Sequence, residues 1–345
     1  MNLSISKEDL DHILKYTDFQ KYRNKKIFIT GGTGFFGKWL LESLCYANDK
    51  LALNCQVLAL SRNPKKFLDA NVHFKQYDNL GFRKGDILDF EFPKEKFDFI
   101  IHGATEANVT MNVDNPSLML DTIVDGTKRI LEFSKISGIS RLLFLSSGAV
   151  YGKRYFSEGP VAEENVSAPA TSDPAAAYGE GKRIAELLCF IHCRNTHIDL
   201  SIARCFAFFG PHLPLDSHFA FGNFIKNILS GENILIKGDG SPYRSYMYAA
   251  DLAIWLFTIL TEAKSGSVYN VGSDVPISIG DLAEKISMHA EQPLSVEIAK
   301  KKDPSSDPEI YVPLVEKAKR ELSLNVFINL EEGIKKTLEW QKKRN

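Results

Sequence analysis

The sequence lacks an excess of charge of either sign. Its 345 residues include 42 basic and 43 acidic side chains, which leaves a formal net charge of −1. Proteins that hold a polyanion such as a nucleic acid usually present a basic surface, so the composition argues against a nucleic-acid partner. We therefore expect the ligand to be a small molecule.

Long hydrophobic runs are also missing. The apolar run at residues 253–260 is one of the longest in the chain, and it is far shorter than the roughly 20 residues that a membrane span requires. The first residues, MNLSISKEDLDHILKY, are charged and contain no apolar stretch of the signal-peptide type. These features predict a soluble protein of the cytoplasm with no membrane partner.

Cysteine is scarce, and its number is odd. The five cysteines are Cys45, Cys55, Cys189, Cys193 and Cys205. A scattered, odd set favours reduced thiols over a disulfide framework, which again predicts a cytoplasmic location. Cys189, His192, Cys193 and His197 have the spacing of ligands on one helix, but the second ligand pair of a zinc site is missing. We predict that they are packing and surface positions and that no metal binds.

From residue 26 onward, short apolar strands alternate with amphipathic segments. KIFIT is followed by FGKWLLESLCYA, FDFIIHGA by PSLMLDTIVDGTKRILEFSKI, and RLLFLSS by YGEGKRIAELLCFIHCRN. Continuous apolar strands joined by helices indicate a parallel sheet that is covered on both faces. The sequence therefore predicts an α/β fold, a doubly wound parallel sheet of the Rossmann-like kind, over residues 25–205.

Two further parts flank this predicted domain. The segment SKEDLDHILKY predicts a helical extension within residues 1–24, with Ser6 and Asp9 at the helix start. After the sheet domain, Pro, Gly and aromatic residues increase, which is typical of specificity loops attached to a rigid sheet. We assign residues 206–345 mainly to a smaller C-terminal α/β substrate-binding domain, with about residues 245–275 returning to the first domain.

Four glycines separate the first strand from its helix. Gly31, Gly34 and Gly37 form a G-x-x-G-x-x-G series with Gly32 inside it. Glycine permits a tight turn and the close approach of a pyrophosphate, and the amides and dipole at the helix N-terminus favour its charge. The loop predicts dinucleotide binding because it lies between a strand and a helix.

The end of the next strand bears on the choice of dinucleotide. An acid at this place usually holds the ribose 2′-hydroxyl of NAD, whereas an arginine can pair with the 2′-phosphate of NADP. Ser61 and Arg62 occupy the place, and Lys65 and Lys66 follow. We therefore favour NADP over NAD, with a solvated basic loop as the alternative interpretation.

Asp86 and Ile87 follow the third predicted strand, in KGDILD. This position places them beside the adenine of a bound dinucleotide. A simple turn explains the same residues almost as well.

A catalytic set is predicted where the strand RLLFLSS ends. Ser146 and Ser147 lie at its carboxyl end, where open α/β sheets bind ligands. In YGEGK, Tyr178 and Lys182 are one helical turn apart and share a face. A nearby ammonium lowers the pKa of a tyrosine and makes a phenolate base available, and a serine hydroxyl can hold the oxygen that is oxidised.

The chain resembles the extended short-chain dehydrogenases/reductases of the sugar-nucleotide epimerase/dehydratase family. The resemblance covers about residues 26–340 and rests on a series of motifs in the family's order. They include GGTGFFG, GDILD, HGAT, LSSGAVYG, YGEGK, RCFAFFGP, IKGDGSPYRSYMYAADLA and YNVGS. This order is specific for the family and much less so for one member.

The resemblance implies a role for each matching residue. Tyr178 is the base that takes a proton from a sugar hydroxyl, usually at C4; Lys182 also binds the nicotinamide ribose, and Ser147 is the catalytic serine. Arg244 matches the arginine that pairs with the nucleotide diphosphate, and Asn223 lies in the segment that closes over the substrate. The glycine-loop and HGAT motifs add cofactor contacts at Thr33, Phe35, Phe36, His102 and Ala104.

Three positions bear on which family member this is. The 4,6-dehydratases carry an Asp-Glu pair after the catalytic Ser/Thr, and Gly148 and Ala149 stand there in this chain. The usual elimination therefore lacks its acid and base, and SSGAVYG is closer to the 4-epimerases. Glu106, in HGATEANV, lies where dehydratases have a substrate-contacting acid and is a candidate catalytic acid or base, with hydroxyl binding as the alternative.

Other positions depart from the family pattern. Ile123, Ala207 and Leu314 replace residues common at those places, which indicates unusual substrate contacts. Asp251 is expected to be the N-cap of a helix rather than a ligand contact.

The sequence thus predicts an NAD(P)-dependent enzyme that forms a 4-keto sugar nucleotide, with 4-epimerisation as the first hypothesis. A 4-ketosugar reductase is second, and a 4,6-dehydratase or decarboxylase is third. A cofactor-sensing binding protein without catalysis is the alternative from another class, because a fold alone does not fix a function. The resemblance also implies a homodimer, with two broadly apolar helices pairing across a two-fold axis.

Overall fold

The computed structural model describes residues 4–105, 114–215 and 219–344. Within these ranges, seven parallel strands form one sheet: β1 (Lys26–Thr30), β2 (Gln56–Ser61), β3 (Leu80–Lys84), β4 (Phe99–His102), β5 (Arg141–Ser147), β6 (Asp199–Cys205) and β11 (Ser267–Val271). Their order across the sheet is β11-β6-β5-β4-β1-β2-β3. The apolar stretches of the inner strands are mostly buried because both faces are covered, whereas the edge strand β3 is only partly buried.

Helices cover both faces of this sheet. In chain order, the α-helices of the described ranges are α1 (Lys7–Tyr16), α2 (Phe35–Leu51), α3 (Pro64–Ala70), α4 (Pro116–Ser137), α5 (Ala177–Arg194), α6 (Ala220–Ser230), α7 (Ala249–Glu262), α8 (Ile279–Ser287), α9 (Glu316–Leu322) and α10 (Leu330–Arg344). One apolar core contains α2 and α7, and a second contains α4 and α5. The predicted fold class, a doubly wound parallel sheet, is confirmed.

The C-terminal third adds small sheets beside the carboxyl ends of the main strands. They are formed by β7 (Phe208–Phe209), β8 (Ile234–Ile236), β9 (Tyr243–Arg244), β10 (Met247–Tyr248), β12 (Ile277–Ser278), β13 (Val296–Ile298) and β14 (Ile310–Tyr311). Strand β9 lies between β12 and β14. β11 and α7 come from the same third of the sequence but belong to the main sheet and its cover.

The N-terminal helix α1 is fixed to the body of the protein by polar contacts. Ser6 caps it, as the sequence predicts, by accepting a hydrogen bond from the Asp9 amide at 3.1 Å. The buried Asp9 carboxylate accepts a hydrogen bond from the Tyr248 hydroxyl at 2.9 Å and pairs with Lys336 at 3.3 Å.

Asp251 corrects one sequence prediction. Helix α7 begins at Ala249 after Tyr248, so Asp251 lies in the first turn and is not the N-cap. Its buried carboxylate accepts hydrogen bonds from the amides of Phe327 and Ile328, both at 2.9 Å, and lies 3.1 Å from His12 Nε2. Asp251 therefore joins three distant segments instead of capping one.

The described helices include none with both the length and the apolar character of a membrane span. All five cysteines lie in the described part of the chain, and each is a free thiol. Among the described residues, no cluster of three or more His, Cys, Asp or Glu side chains has the arrangement of a metal site.

Candidate active site

The glycine loop between β1 and α2 is so tightly packed that two of its glycines admit no side chain. Gly31 has a φ of +76°, and an ideal Cβ there would lie 2.6 Å from the carbonyl oxygen of Gly103. A Cβ on Gly37 would lie 2.3 Å from the carbonyl carbon of Gly32. Only glycine avoids these clashes, so the loop can hold the start of α2 directly against the end of β1.

Gly34 provides the open side of the same loop. It is the N-cap of the 17-residue helix α2, and none of the described side chains caps it. A Cβ on Gly34 would meet only the Gly31 carbonyl oxygen, at 3.3 Å. The first-turn amides, including those of Phe35 and Phe36, have no acceptor within the helix. Thr33 lies beside them, partly exposed. These donors and this open space fit the diphosphate of a dinucleotide.

Beneath the loop, Thr30 links β1 to β4. Its Oγ1 lies 2.8 Å from His102 Nδ1 and accepts a hydrogen bond from the Ala104 amide at 3.0 Å. His102 Nε2 lies 3.1 Å from Thr127 Oγ1, and burial lowers the pKa of this histidine to about 3. The imidazole is therefore a neutral brace under the loop, and its contact with a cofactor stays a prediction.

The end of β2 carries the residues that bear on the choice of cofactor. Ser61 is buried, and its Oγ accepts a hydrogen bond from the Asn63 amide at 3.3 Å. Arg62 is exposed, and Lys65 pairs with Asp69 at 2.9 Å in α3. A serine followed by an exposed guanidinium thus stands where an acid would hold a ribose 2′-hydroxyl.

Asp86 and Ile87 follow β3 and are engaged in local structure. Asp86 Oδ1 accepts a hydrogen bond from the Leu88 amide at 3.1 Å. Ile87 is buried against α4, where an ideal Cβ on Gly126 would lie 2.9 Å from its side chain. Their contact with an adenine stays a prediction.

Ser147, Tyr178 and Lys182 meet at the carboxyl end of β5. Gly179 permits the close approach of α5, because an ideal Cβ on it would lie 2.6 Å from the Ala149 carbonyl oxygen. The Ser147 hydroxyl is near enough to the Tyr178 phenol to act on its pKa. The Nζ of Lys182 lies 6.0 Å from the centroid of the Tyr178 ring. The structure thus brings the three predicted residues together at the sheet edge where α/β folds bind ligands.

Burial governs the ionisation of this set. Lys182 donates hydrogen bonds to the Leu145 carbonyl at 2.8 Å and to Thr105 Oγ1 at 2.9 Å, and burial lowers its pKa to about 8. Burial raises the pKa of Tyr178 to about 12, while the Ser147 hydroxyl acts in the opposite direction. The sequence-based expectation that Lys182 lowers the pKa of Tyr178 is wrong for this structure, because the ammonium points to Leu145 and Thr105.

A buried ion pair supports the serine turn. Ser146, next to Ser147, donates a hydrogen bond to the Glu186 carboxylate. Arg204 pairs with the same carboxylate at 2.7 Å and donates to the Tyr151 hydroxyl at 2.9 Å. Because Glu186 lies one turn beyond Lys182 on α5, this network fixes the turn and the helix relative to each other.

Gly148 has no room for a side chain. An ideal Cβ would lie 2.7 Å from two ring carbons of Phe206 and 2.8 Å from the hydroxyl oxygen of Tyr311. The two rings pack against each other, with centroids 4.7 Å apart. An acid of the dehydratase kind could therefore enter at this position only if both rings moved.

Arg244, the predicted diphosphate ligand, lies on β9 near the same cluster. Its Nη2 is 3.6 Å from Glu309 Oε2, and its Nη1 donates a hydrogen bond to the Tyr243 carbonyl at 2.8 Å. Its guanidinium carbon lies 5.8 Å from the Tyr311 ring centroid. Tyr311 thus connects the arginine to Ser147.

The described contacts of this cluster include neither of two predicted substrate residues, Asn223 and Glu106. Asn223 is exposed in the first turn of α6. Residues 216–218, shortly before this helix, lie outside the described ranges. Glu106, the candidate acid or base, also lies outside the described residues. The roles of both stay predictions.

The sequence analysis missed Tyr311 and Phe206. The Tyr311 hydroxyl lies 3.4 Å from Ser147 Oγ, although 164 residues separate the two along the chain. Spacing along a sequence carries no signal for such a contact. Thr105, which receives a hydrogen bond from Lys182, lies within the quoted HGAT motif and could have been named from it.

These features define a dinucleotide site joined to a Ser-Tyr-Lys cluster, and comparison with known proteins identifies the class. A model of the NAD dependent epimerase/dehydratase family matches residues 27–272. The chain belongs to this family, as the resemblance implied, and it is an enzyme.

Individual relatives show how diverse the reactions are within this class. UDP-glucuronic acid decarboxylase 1 of Xenopus tropicalis is 30% identical, with 92% of this chain and 72% of the relative covered. The dTDP-glucose 4,6-dehydratase of Escherichia coli is 26% identical, with 91% and 92% covered. A mutant of the UDP-glucuronic acid 4-epimerase of Bacillus cereus, solved with a fluorinated UDP-sugar and NAD, has a TM-score of 0.78 at 24% identity, with 93% and 100% covered.

Proposed function

We propose that this enzyme oxidises the sugar of a sugar nucleotide at C4 and returns the hydride to the opposite face, as a nucleotide-sugar 4-epimerase. The observation that carries the proposal is the cluster of Ser147, Tyr178 and Lys182 beside a glycine, Gly148, with no room for an acid. Family membership and the sugar-nucleotide substrates in the relatives' names support the substrate class.

Each residue of the cluster has a task in this reaction. Ser147 holds the C4 oxygen by a hydrogen bond, and Tyr178 takes the hydroxyl proton as the hydride leaves C4. A bound nicotinamide ring supplies the hydride acceptor. Lys182 has three N–H donors, of which two contact Leu145 and Thr105, so one can hold the nicotinamide ribose. After the 4-keto sugar has rotated to present its other face, Tyr178 returns the proton as the hydride returns to C4.

Decarboxylation is a second candidate, because the Xenopus relative at 30% identity is a decarboxylase. Oxidation at C4 of a glycuronic acid creates a β-keto acid, which can lose carbon dioxide without the acid pair that elimination of water requires. Gly148 therefore argues against 4,6-dehydration and leaves decarboxylation open. A 4-ketosugar reductase uses the same cluster in one direction only.

One product analysis separates these reactions. The purified enzyme is incubated with UDP-glucose, UDP-glucuronic acid and dTDP-glucose, and separately with a 4-keto sugar nucleotide and NADPH. The products are analysed by mass spectrometry and chromatography. An epimerase gives a product of unchanged mass and consumes no added cofactor. Loss of carbon dioxide indicates the decarboxylase, loss of water the dehydratase, and a 4-keto substrate that consumes NADPH the reductase. No reaction with any sugar nucleotide would contradict the proposed function.

Cofactor preference is a finer proposal. Ser61 and the exposed Arg62 support NADP, whereas the family description and the NAD in the Bacillus cereus structure support NAD. We propose the NADP preference, and fluorescence titration with both dinucleotides tests it. Tighter binding of NAD, unchanged in Arg62→Ala, would overturn it.

We also propose a cytoplasmic homodimer. Ile184, Leu187 and Ile191 follow one another along α5 and are 39%, 58% and 53% exposed. An apolar stripe of this kind supports pairing of α4 and α5 with a second copy. Sedimentation should show a dimer, and Leu187→Glu with Ile191→Glu should give a monomer.

The five free thiols support the cytoplasmic location, because the cytoplasm keeps cysteines reduced.

A further inference from the structure

Strand β14 brings a second tyrosine to the reaction centre. It lies beside β9, with Tyr311 opposite Arg244. The Tyr311 hydroxyl lies 3.4 Å from Ser147 Oγ and 3.5 Å from the Cys205 carbonyl oxygen. Phe206 packs on the ring. Phe206 and the pairing of β14 with β9 hold the phenol at the serine. Its single proton faces two acceptors, the nearer Ser147 Oγ and the Cys205 carbonyl oxygen.

The hydrogen-bonding capacity of Ser147 gives this contact a direction. A serine hydroxyl has one proton to donate and two lone pairs that accept. One lone pair of Ser147 accepts from the Ala149 amide at 3.1 Å. If Tyr311 donates to the second lone pair, both acceptor sites of the serine hydroxyl are filled. The hydroxyl can then only donate its own proton, and Tyr178 is the acceptor we infer. A serine without Tyr311 can point that proton elsewhere.

The environment keeps Tyr311 in the donor state. Burial raises the pKa of Tyr311 well above its ordinary value, and the nearby Tyr178 acts in the same direction. A phenol that stays protonated keeps a proton that it can donate to Ser147. Tyr178 differs from Tyr311 in its position, since it lies on α5 one turn from Lys182.

We propose that Tyr311 is a positioning residue, which donates a hydrogen bond to Ser147 and so directs the serine proton toward Tyr178 and the sugar oxygen between them. The catalytic serine is then oriented by the C-terminal part of the chain, 164 residues away. The expected kinetic effect of Tyr311 rests on the proposed function. The orientation of the Ser147 hydroxyl by Tyr311 does not depend on which reaction the enzyme catalyses.

Tyr311→Phe tests the proposal because it removes the hydroxyl and keeps the ring against Phe206. We expect kcat to fall roughly tenfold or more while KM changes less than about twofold. We also expect the acidic limb of the pH profile to move up by roughly 0.5–1 pH unit, because the Tyr178 phenolate loses part of the hydrogen bond that Ser147 donates to it.

In the Ser147→Ala background, Tyr311→Phe should cause no further fall in kcat and no further shift of the pH profile. The matched control is Tyr269→Phe on β11, which removes a phenol that donates a hydrogen bond to Glu321.

A second measurement needs no turnover. Tyrosine carrying an NMR-active carbon isotope at Cζ is incorporated, and the Tyr178 signal is assigned as the one that Tyr178→Phe removes. This signal should shift in Tyr311→Phe, but not in Tyr269→Phe, and Tyr311→Phe should leave it unchanged when Ser147 is Ala.

The two readouts separate the two claims. An unmoved Tyr178 signal, or Tyr311→Phe effects that are as large without Ser147 as with it, would overturn the role of Tyr311. A wild-type protein that converts no sugar nucleotide would overturn the proposed function, while the shift of the Tyr178 signal would still decide the positioning role.

Discussion

Gly37 and Gly32 are in such close contact that an ideal Cβ on Gly37 would lie 2.3 Å from the carbonyl carbon of Gly32. This contact fixes the first turn of α2 against the end of β1 and directs its amides to the expected diphosphate. Gly37→Ala should therefore weaken dinucleotide binding at least tenfold and destabilise the fold by roughly 1–3 kcal/mol. Fluorescence titration and chemical unfolding measure the two effects.

Gly238→Ala is the matched control for that prediction, because nothing lies within 4 Å of an ideal Cβ there. It should bind dinucleotide as the wild type does. Equal dinucleotide affinity of Gly37→Ala and the wild type would contradict the assignment of the loop.

Arg244 is expected to hold the diphosphate of the substrate. Arg244→Met should weaken binding of UDP, measured by calorimetry, by about tenfold to a hundredfold, because a charge-assisted pair with phosphate is lost. Arg320→Met removes an exposed guanidinium that pairs with Glu321, and it should leave UDP affinity unchanged. Indistinguishable UDP affinities for the two variants would rule out this role for Arg244.

His102 should make stability depend on pH. Its folded pKa of about 3 lies below the ordinary value of 6.5, so the unfolded chain binds the proton first as pH falls. The stability from the neutral histidine is fully present above about pH 6.5 and is lost progressively toward pH 3. Between pH 7 and pH 5 the loss is about 2 kcal/mol.

Denaturant unfolding at several pH values checks this prediction. His102→Gln should show a smaller loss of unfolding free energy over the same interval. His197→Gln changes an exposed histidine and should follow the wild type. An unaltered pH dependence in His102→Gln would show that another group is responsible.

Asp251 should be a major determinant of how the N-terminal helix is attached. Asp251→Ala leaves the amides of Phe327 and Ile328 without their acceptor, so we expect a loss of roughly 3–5 kcal/mol of unfolding free energy. Asp125→Ala, which removes an exposed carboxylate paired with Lys128 on α4, should cost less than about 1 kcal/mol. Similar unfolding curves for both variants would contradict the role of Asp251.

Local pattern was sufficient to predict much of this molecule. The alternation of apolar strands and helices predicts the doubly wound sheet, because its inner strands are buried on both faces. Ser147, Tyr178 and Lys182 come together as their spacing indicates, since a strand end and one helical turn are local geometry.

What the sequence could not predict depends on contacts between distant segments. Asp251 has the spacing of an N-cap, yet its carboxylate bonds amides 76 and 77 residues away. The ionisation of Tyr178 follows burial and the direction of the Lys182 ammonium, which the i, i+4 spacing does not determine. Tyr311 reaches Ser147 only because β14 pairs with β9.

The central claim is that Tyr178 performs proton transfer at a sugar carbon in a dinucleotide-dependent reaction. The most direct test measures turnover of the sugar nucleotide that the wild type converts and dinucleotide affinity in Tyr178→Phe. We predict that turnover falls below about a thousandth of the wild-type rate while dinucleotide affinity stays within about threefold. Turnover at the wild-type rate in Tyr178→Phe would contradict it.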